Sequence, residues 1–202
     1  MKFLAFVDLH EDKKYLKELL KRASQDDIDF VVCAGDLTMF GRGLRYILKK
    51  FNDLGKKFYI IPGNHESDSM FKEVIADYPN CINFNKKAIK KDNYVFLGYG
   101  GGGFAAEDSE FRKISRDWYS KYQDEKVILV THGPPFGTKI DLLEKRQVGN
   151  HDYRKFIERI KAKLMVCGHI HETAGAQDKV GKTMVINPGW EGMVIELNCI
   201  LS

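Results

Sequence analysis

Short apolar runs alternate with longer segments of helical spacing along the first third of the chain. Residues 3–7, 28–33 and 58–61 predict three strands, because such apolar runs are typical of strands buried on both faces of a sheet. Apolar residues repeat at helical spacing in a segment that Asp12 is placed to cap, in residues 44–54 and in residues 70–75. This order predicts parallel strands connected by right-handed helical crossovers.

The pattern changes after residue 85. Residues 86–98 predict an antiparallel hairpin that turns at residues 91–93. Neither a repeat nor a linker interrupts the chain, so we expect one domain over residues 1–202. The remaining predicted elements are a helix over 111–122, a strand over 127–130, a loop over 142–150, a helix from the Asn150 cap to residue 160, a strand over 164–167 and two short strands within 182–197.

The composition is that of an ordinary globular protein. Of the 202 residues, 44% are hydrophobic and 30% charged, and a net charge of +4 is too small to indicate nucleic acid or an anionic membrane as a partner. The apolar start ends at Asp8, too early for a signal peptide, and no segment is long enough to span a bilayer. The cysteines form no CxxC pair, so we expect reduced thiols and a cytoplasmic protein; they are Cys33, Cys81, Cys167 and Cys199.

Candidate metal ligands follow five of the predicted strands, at the point where each strand ends. Ligands of open α/β sheets gather beyond the carboxyl ends of the strands, so we expect these side chains to meet. Five of the six histidines of the chain belong to this group. Its members are Asp8, His10, Asp36, Asn64, His65, His132, His169 and His171.

The donor types favour divalent transition metals. Imidazole, carboxylate and amide oxygen without a thiolate suit Mn²⁺, Fe²⁺ or Zn²⁺ in a hydrolytic site. The seven donors other than His65 exceed the needs of one tetrahedral zinc ion, so two ions are the simpler interpretation. Asp8 and His10 are two residues apart, a spacing at which an extended segment directs both side chains to the same side.

Five sequence blocks in this order resemble the calcineurin-like metallophosphoesterase superfamily. They are Asp8-x-His10, Gly35-Asp36, Gly63-Asn64-His65-Glu66, His132 and Gly168-His169-x-His171. The match extends from residue 8 to residue 171, and the turn at residues 187–189 also resembles small bacterial and archaeal members. The resemblance implies an α/β fold of four layers, in which two packed mixed β-sheets are flanked by helices.

The resemblance also implies a role for each residue. One ion would be held by Asp8, His10 and His171. The second would be held by Asn64, His132 and His169. Asp36 would bridge both ions, and His65 would face the substrate as the general acid. Met39 stands where protein phosphatases of the superfamily place a second Asp to orient that histidine, so another group must orient His65.

The implied function is hydrolysis of phosphoric esters with two divalent ions, Mn²⁺ being preferred and Fe²⁺, Zn²⁺ or Ni²⁺ being alternatives. A hydroxide that bridges the ions would attack phosphorus in line, so Asp36 and His65 are the expected catalytic residues. We expect a small phosphate-ester substrate, and we favour phosphodiesters from the likeness to small cap-less members. Long nucleic acid is disfavoured, since the mild charge offers no basic groove.

Three other functions stay open on the sequence alone. A phosphomonoesterase would use the same residues, and so would a nuclease or a cyclic-nucleotide diesterase. Outside the enzymes, the alternative is a scaffold of the same fold, as in the retromer subunit that has lost ligands. The complete donor set argues against the scaffold.

Single residues also have ordinary interpretations. Asp8 could cap the first helix. Residues 98–103 match a nucleotide-binding glycine pattern only because they include four consecutive glycines, so we predict a flexible loop there. We expect His151 to begin a helix in solvent, Arg45 to lie on an exposed helix face, and Trp190 to belong to the core.

Overall fold

A computed structural model describes residues 1–197 as two β-sheets packed between helices. The strands are β1 (Lys2–Phe6), β2 (Phe30–Cys33), β3 (Lys57–Ile60), β4 (Cys81–Asn83), β5 (Lys87–Lys91), β6 (Tyr94–Tyr99), β7 (Lys126–Thr131), β8 (Leu142–Leu143), β9 (Arg146–Gln147), β10 (Leu164–Val166), β11 (Gln177–Val180), β12 (Thr183–Ile186) and β13 (Met193–Glu196). The helices are α1 (Lys13–Ala23), α2 (Leu44–Asn52), α3 (Asp68–Ile75), α4 (Ser109–Tyr122) and α5 (His151–Ile160), and a 3₁₀ turn covers His171–Thr173.

The first sheet is built from the N-terminal alternation of strands and helices. Within residues 1–197 its strand order is β13-β1-β2-β3-β4, parallel from β1 to β4 and antiparallel between β13 and β1. Asp12 caps α1 as predicted, because its carboxylate accepts hydrogen bonds from the amides of Lys14 and Tyr15. Since β1, β2 and β3 are parallel neighbours, their carboxyl ends lie at one edge of the sheet.

The second sheet is also mixed. In the described part of the chain its strand order is β11-β12-β10-β7-β6-β5. The four central strands are parallel, whereas β5 and β11 pair antiparallel to their neighbours at the two edges. The predicted hairpin over residues 86–98 is therefore confirmed as β5 and β6. The carboxyl ends of β7 and β10 are adjacent.

Three apolar layers hold the elements together. Between the sheets, Phe3 stacks on Phe30 at 5.1 Å, and Phe96 of the second sheet meets Phe3 edge-on at 5.5 Å. A second layer, which includes Phe51, packs α1 to α3 on the first sheet, and a third, which includes Phe111, packs α4 and α5 on the second. The predicted four-layer arrangement of two mixed sheets flanked by helices is confirmed.

The structure differs from the sequence prediction in several short strands. Leu142–Leu143 and Arg146–Gln147 form a small antiparallel hairpin where the pattern predicts a loop, so that prediction is wrong. The strands β4 and β11 are also missing from the prediction. Strands of two to four residues contain too few positions to display a recognisable alternation.

Two expectations drawn from composition concern cysteines and membranes. Cys33, Cys81 and Cys167 are buried and unpaired, whereas Cys199 lies outside the described residues. Burial raises the pKa of the Cys81 thiol to about 12, so this thiol is protonated and unreactive at neutral pH. Across residues 1–197, none of the helices combines the length and the apolar character that crossing a membrane requires.

Candidate metal centre

The predicted ligands come from both sheets and meet where the two sets of strands end. Within the first sheet, Asp8 and His10 follow β1, Asp36 follows β2, and Asn64 and His65 follow β3. From the second sheet come the residues after β7 and β10, which are His132, His169 and His171. The structure therefore brings together all eight residues that the sequence singles out.

Backbone strain is concentrated in these strand-end loops. Asp8, His10, Asp36 and His169 have φ angles of 55°, 46°, 50° and 70°, in the left-handed region that side-chain-bearing residues rarely adopt. Each such residue costs about 1–3 kcal/mol, so the surrounding contacts must hold it in place. Strain of this kind is typical of functional sites.

Hydrogen bonds tie the loops to one another across the two sheets. The amide of His10 donates to the carbonyl of Asp36 at 3.1 Å, and the amide of His65 donates to Oδ1 of Asp36 at 3.0 Å. The amide of His169, from the second sheet, donates to Oδ2 of Asp8 at 2.9 Å. The carboxylates of Asp36 and Asp8 are thus oriented by backbone donors.

Gly63 allows the β2 and β3 loops to approach this closely. A Cβ atom at Gly63 would overlap Oδ1 and the amide nitrogen of Asp36. Only glycine fits here, because any side chain would push the carboxylate out of position.

The carboxylate of Asp36 lies at the middle of the cluster. It is 2% exposed, and its Oδ2 is 3.4 Å from Nε2 of His132 and 3.8 Å from Nε2 of both His10 and His65. Nε2 of His10 is also 3.3 Å from Nε2 of His171. One carboxylate therefore faces imidazoles from both sheets, as a bridging ligand would.

Among the described residues, three overlapping sets of ligand atoms lie within 4.8 Å of one another. The sets are Asp8 with His10 and His171, His10 with Asp36 and His65, and Asp8 with Asp36 and His132. His169 belongs to none of these sets, but its ring lies 5.1 Å from the ring of His132. The donors form one continuous cluster.

The tautomer of His132 is set by the backbone. Its Nδ1 lies 3.1 Å from the carbonyl oxygen of Ala34, which can only accept, so Nδ1–H donates. Nε2 of His132 then faces side-chain oxygens, lying 2.8 Å from Oδ1 of Asn64 and 3.4 Å from Oδ2 of Asp36. A cation bound at this place could take all three atoms as ligands.

Several buried polar atoms of the cluster have no hydrogen-bond partner within residues 1–197. They are Oδ1 of Asp8, Nδ1 of His10, Nδ1 of His65 and Nε2 of His169. Buried polar atoms are normally paired, so unpaired ones concentrated in one place indicate a site for a ligand or ion. The donors present, which are imidazoles, carboxylates and an amide, fit divalent transition metals.

Burial sets the protonation of several donors. It lowers the pKa of His169 to about 4, with the charge of His132 adding to the effect, and it lowers the pKa of His10. Burial by itself would raise the pKa of Asp36, but the hydrogen bond and charge of His132 outweigh it, so the pKa of Asp36 lies below its usual value. At neutral pH these three groups are in the forms that bind a cation.

Asp8 and His132 have the opposite tendency. Burial raises the pKa of Asp8 above its usual value, although the nearby histidines oppose the shift. Burial disfavours the charged form of His132, but the hydrogen bond and charge of Asp36, together with Asp8, raise its pKa overall. These two groups hold their protons more strongly than usual, and a bound cation would displace those protons.

His65 lies at the rim of the cluster, and an aromatic ring packs against it. The ring of Phe40 is 4.6 Å from the imidazole, and the ring of His10 is 5.1 Å from it. Met39, at the position of the missing Asp, directs its amide to Oε1 of Glu11 and does not contact His65 through a hydrogen bond. His65 therefore has two aromatic neighbours, Phe40 and His10.

Glu66 has a structural role that the sequence reasoning missed. Its buried carboxylate accepts from the amide and hydroxyl of Thr38 at 2.6 and 3.0 Å and from the amide of Gly63 at 3.2 Å. It therefore joins the Asp36 loop to the Asn64 loop. Burial raises the pKa of Glu66 to about 7. The position of Glu66 at the end of the Gly63-to-Glu66 block is the sequence feature that could have indicated this role.

Two residues and one loop outside the five sequence blocks can be compared with the ordinary roles expected of them. The predicted core position of Trp190 is wrong: the side chain is half-buried, and its ring lies 5.9 Å from that of His171. Arg45 is exposed and paired with Asp77 at 2.6 Å, as expected for a solvated helix face. The glycine-rich loop carries Phe104 to 4.5 Å from the ring of His169, so the loop borders the cluster.

Comparison with known proteins identifies the family. The sequence profile described as calcineurin-like phosphoesterase matches residues 1–173, which is most of the chain and includes every predicted ligand. The chain belongs to the calcineurin-like phosphoesterase family. The superfamily named from the five sequence blocks is thereby confirmed.

Individual relatives agree with this family and its fold. An uncharacterised protein of Methanocaldococcus jannaschii is 30% identical over 201 residues, which cover 93% of this chain and 88% of that protein. A protein of Arcobacter nitrofigilis named "probable glycerophosphodiester phosphodiesterase" is 27% identical over 157 residues, 72% of this chain and 58% of that protein. The crystal structure of a protein from Thermus thermophilus shares the fold, with a TM-score of 0.80 at 16% identity over 98% of this chain and 95% of the other.

Proposed function

We propose that this calcineurin-like phosphoesterase hydrolyses phosphoric esters with two divalent metal ions and prefers phosphodiesters. The observation that carries the proposal is the convergence of ligand atoms from both sheets on Asp36, with neighbouring buried donors left unpaired. A purely structural cluster would pair those atoms.

The ligand roles follow the two sides of Asp36. Asp8, His10 and His171 would hold one ion. Asn64, His132 and His169 would hold the other, and Asp36 would contact both. When bound, two divalent ions act as Lewis acids that lower the pKa of bound water and neutralise charge on a phosphoryl group. The donor set suits Mn²⁺, with Fe²⁺, Zn²⁺ or Ni²⁺ as alternatives.

His65 is proposed as the general acid. Its imidazole is at the rim of the cluster, where the rings of Phe40 and His10 lie beside it. Hydrolysis consumes one water: its oxygen joins phosphorus and releases a proton to solvent, and the bond from phosphorus to the leaving oxygen breaks with its electron pair. His65 would supply the proton that this leaving oxygen takes up.

The preference for phosphodiesters rests on two lines of support. The relative from Arcobacter nitrofigilis carries a glycerophosphodiester phosphodiesterase name. Five carboxylate- or imidazole-bearing loops surround the centre, and within residues 1–197 no cap domain is inserted between these loops. We expect a small phosphate ester as the substrate and no long nucleic acid, given the net charge of +4.

An assay with paired substrates tests the proposal. The purified protein is incubated with bis(p-nitrophenyl) phosphate and with p-nitrophenyl phosphate, first with Mn²⁺ and then with a chelator, and bound metal is measured by elemental analysis. We expect chelator-sensitive hydrolysis, faster for the diester, and loss of both metal and activity in Asp36→Asn. Metal-dependent activity on the monoester alone would favour a phosphomonoesterase. Absence of both metal binding and hydrolysis would contradict the enzyme and favour a scaffold.

A further inference from the structure

Phe40 is held in an unfavourable position beside the proposed acid. Its φ angle is 55°, which is rare for a bulky residue and costs about 1–3 kcal/mol. Its ring is 68% exposed, although apolar surface of this size is normally buried. The centre of the ring lies 4.6 Å from that of His65, with the two ring planes tilted by 55°. A strained, exposed aromatic ring at a catalytic cluster indicates a contact surface for substrate.

The loop around Phe40 is pinned on both sides. The amide of Met39 donates to Glu11 at 3.0 Å, and the amide of Gly41 donates to the hydroxyl of Thr38 at 3.1 Å. Thr38 is itself fixed by the buried carboxylate of Glu66. The ring is therefore presented by an ordered loop, which keeps the cost of ordering it on binding small.

A cavity opens beside Phe40. Its volume is about 580 Å³, within the range of small-molecule sites. The charge of the lining residue Arg45 is already engaged by Asp77, so the cavity lacks an unpaired guanidinium for a second phosphate group. Its apolar lining comes from Phe40, Leu44, Tyr46, Met70 and Val74.

We propose that Phe40 and this cavity form the subsite for the leaving group, and that the subsite selects esters whose leaving group carries an aromatic ring, either directly on the leaving oxygen or on the sugar of a nucleoside. The proposal rests on the proposed function, because it takes His65 as the donor of the proton to the leaving oxygen. The group attached to that oxygen must then lie beside His65, where the open face of Phe40 is available for stacking. An aryl alcohol and a nucleoside both supply such a ring.

Three methyl phosphodiesters with different second groups test the subsite and distinguish its sources. The second group is p-nitrophenyl, 5′-linked thymidine or glycerol, and the products show which oxygen leaves. Phe40→Gly removes the ring while glycine tolerates the backbone angle, and Phe40→Tyr retains a ring. Val194→Ala, which trims an exposed apolar side chain on β13 away from the cluster, is the control.

We expect kcat/KM for the p-nitrophenyl ester to fall about tenfold in Phe40→Gly and to stay within about twofold of wild type in Phe40→Tyr. The glycerol ester should change by less than about twofold, as should every substrate in Val194→Ala. A parallel fall for the thymidine ester would show that the subsite accepts a nucleoside, and its absence would restrict the subsite to an aryl group bonded directly to the leaving oxygen. An equal or larger fall for the glycerol ester would overturn the subsite, because poor leaving groups depend most on a correctly oriented His65.

Equilibrium binding separates this proposal from the proposed function. Calorimetry on the Mn²⁺-loaded protein compares phenyl phosphate with methyl phosphate. We expect Phe40→Gly to weaken phenyl phosphate by about tenfold and to leave methyl phosphate unchanged. If the wild type hydrolyses no ester yet shows this difference, the proposed function fails and the subsite stands. If Phe40→Gly binds both phosphates as the wild type does, the subsite fails even where hydrolysis is observed.

Discussion

Asp36 and His65 lie 3.8 Å apart at their nearest side-chain polar atoms, yet their expected roles differ. Asp36 is buried and surrounded by imidazoles, whereas His65 is at the rim and packs on an exposed phenyl ring. By distance alone His65 could also be a ligand, since its ring nitrogen lies in one of the tight donor sets. Distances alone therefore do not distinguish a metal ligand from a general acid at His65, and a kinetic measurement together with a metal measurement is needed.

The replacement His65→Ala makes that separation. We expect turnover of the glycerol methyl phosphodiester to fall by about 10²–10⁴-fold, because its alcohol leaving oxygen loses its proton donor. Turnover of bis(p-nitrophenyl) phosphate, whose leaving oxygen needs little protonation, should fall much less, and bound metal should stay at the wild-type level. Elemental analysis and steady-state kinetics on the same preparation measure both. His151→Ala serves as the matched control, since His151 begins α5 and belongs to none of the tight donor sets found in residues 1–197. Loss of metal from His65→Ala would reassign it as a ligand.

At the scale of elements, the site depends on how closely neighbouring strand ends approach. The loop after β2 and the loop after β3 touch at Asp36 and Gly63, where no side chain fits. Glu66 then joins the same two loops through Thr38. The close approach of the loops after β2 and β3 therefore determines where the Asp36 carboxylate lies.

Gly63→Ala tests this dependence on close approach. The added methyl group would overlap Asp36, so we expect loss of bound metal and of metal-dependent activity. Gly55→Ala is the matched control, because Gly55 has a positive φ but a Cβ there would meet nothing within 4 Å. That control should lose only about 1 kcal/mol of unfolding free energy, measured by chemical denaturation, and keep its metal. A Gly63→Ala protein with full metal content would contradict this account.

The type of each element also explains how much of the structure could be predicted from the sequence. The buried strands are recognisable because they are continuously apolar, and a ligand follows directly after the run, as for Asp8 and His132. The two-residue strands β8 and β9 have no such pattern. Phe40 was missed for another reason: its significance depends on a backbone angle and on contact with His65, and neither property is local to the sequence.

The whole molecule depends on the apolar layer between the two sheets. Phe3 and Phe30 come from the first sheet, and Phe96 meets both rings from the second at 5.5 and 5.6 Å. Because this layer is shared, we expect the sheets to unfold together as the single domain anticipated over residues 1–202.

Phe96→Ala measures the strength of that coupling. Phe96 is 3% exposed, so truncation should lower the unfolding free energy by about 3–5 kcal/mol. Urea denaturation followed by circular dichroism and by tryptophan fluorescence should give coincident single transitions in both the wild type and the variant. Phe104→Ala, which removes a 60% exposed ring, should leave the midpoint unchanged. Separate transitions for the two probes would indicate two independent units instead.

The division of donors between the two sheets has a consequence for the centre itself. Asp8, His10, Asp36 and Asn64 belong to one half of the sandwich, and His132, His169 and His171 belong to the other. A cation with ligands from both halves would stabilise the native state against separation of the two sheets. At a concentration a thousand times its dissociation constant, such a ligand adds about 4 kcal/mol to the native state. Metal binding and closure of the sandwich would then be linked, and a chain cut between β4 and β5 would reassemble more tightly with the metal than without it.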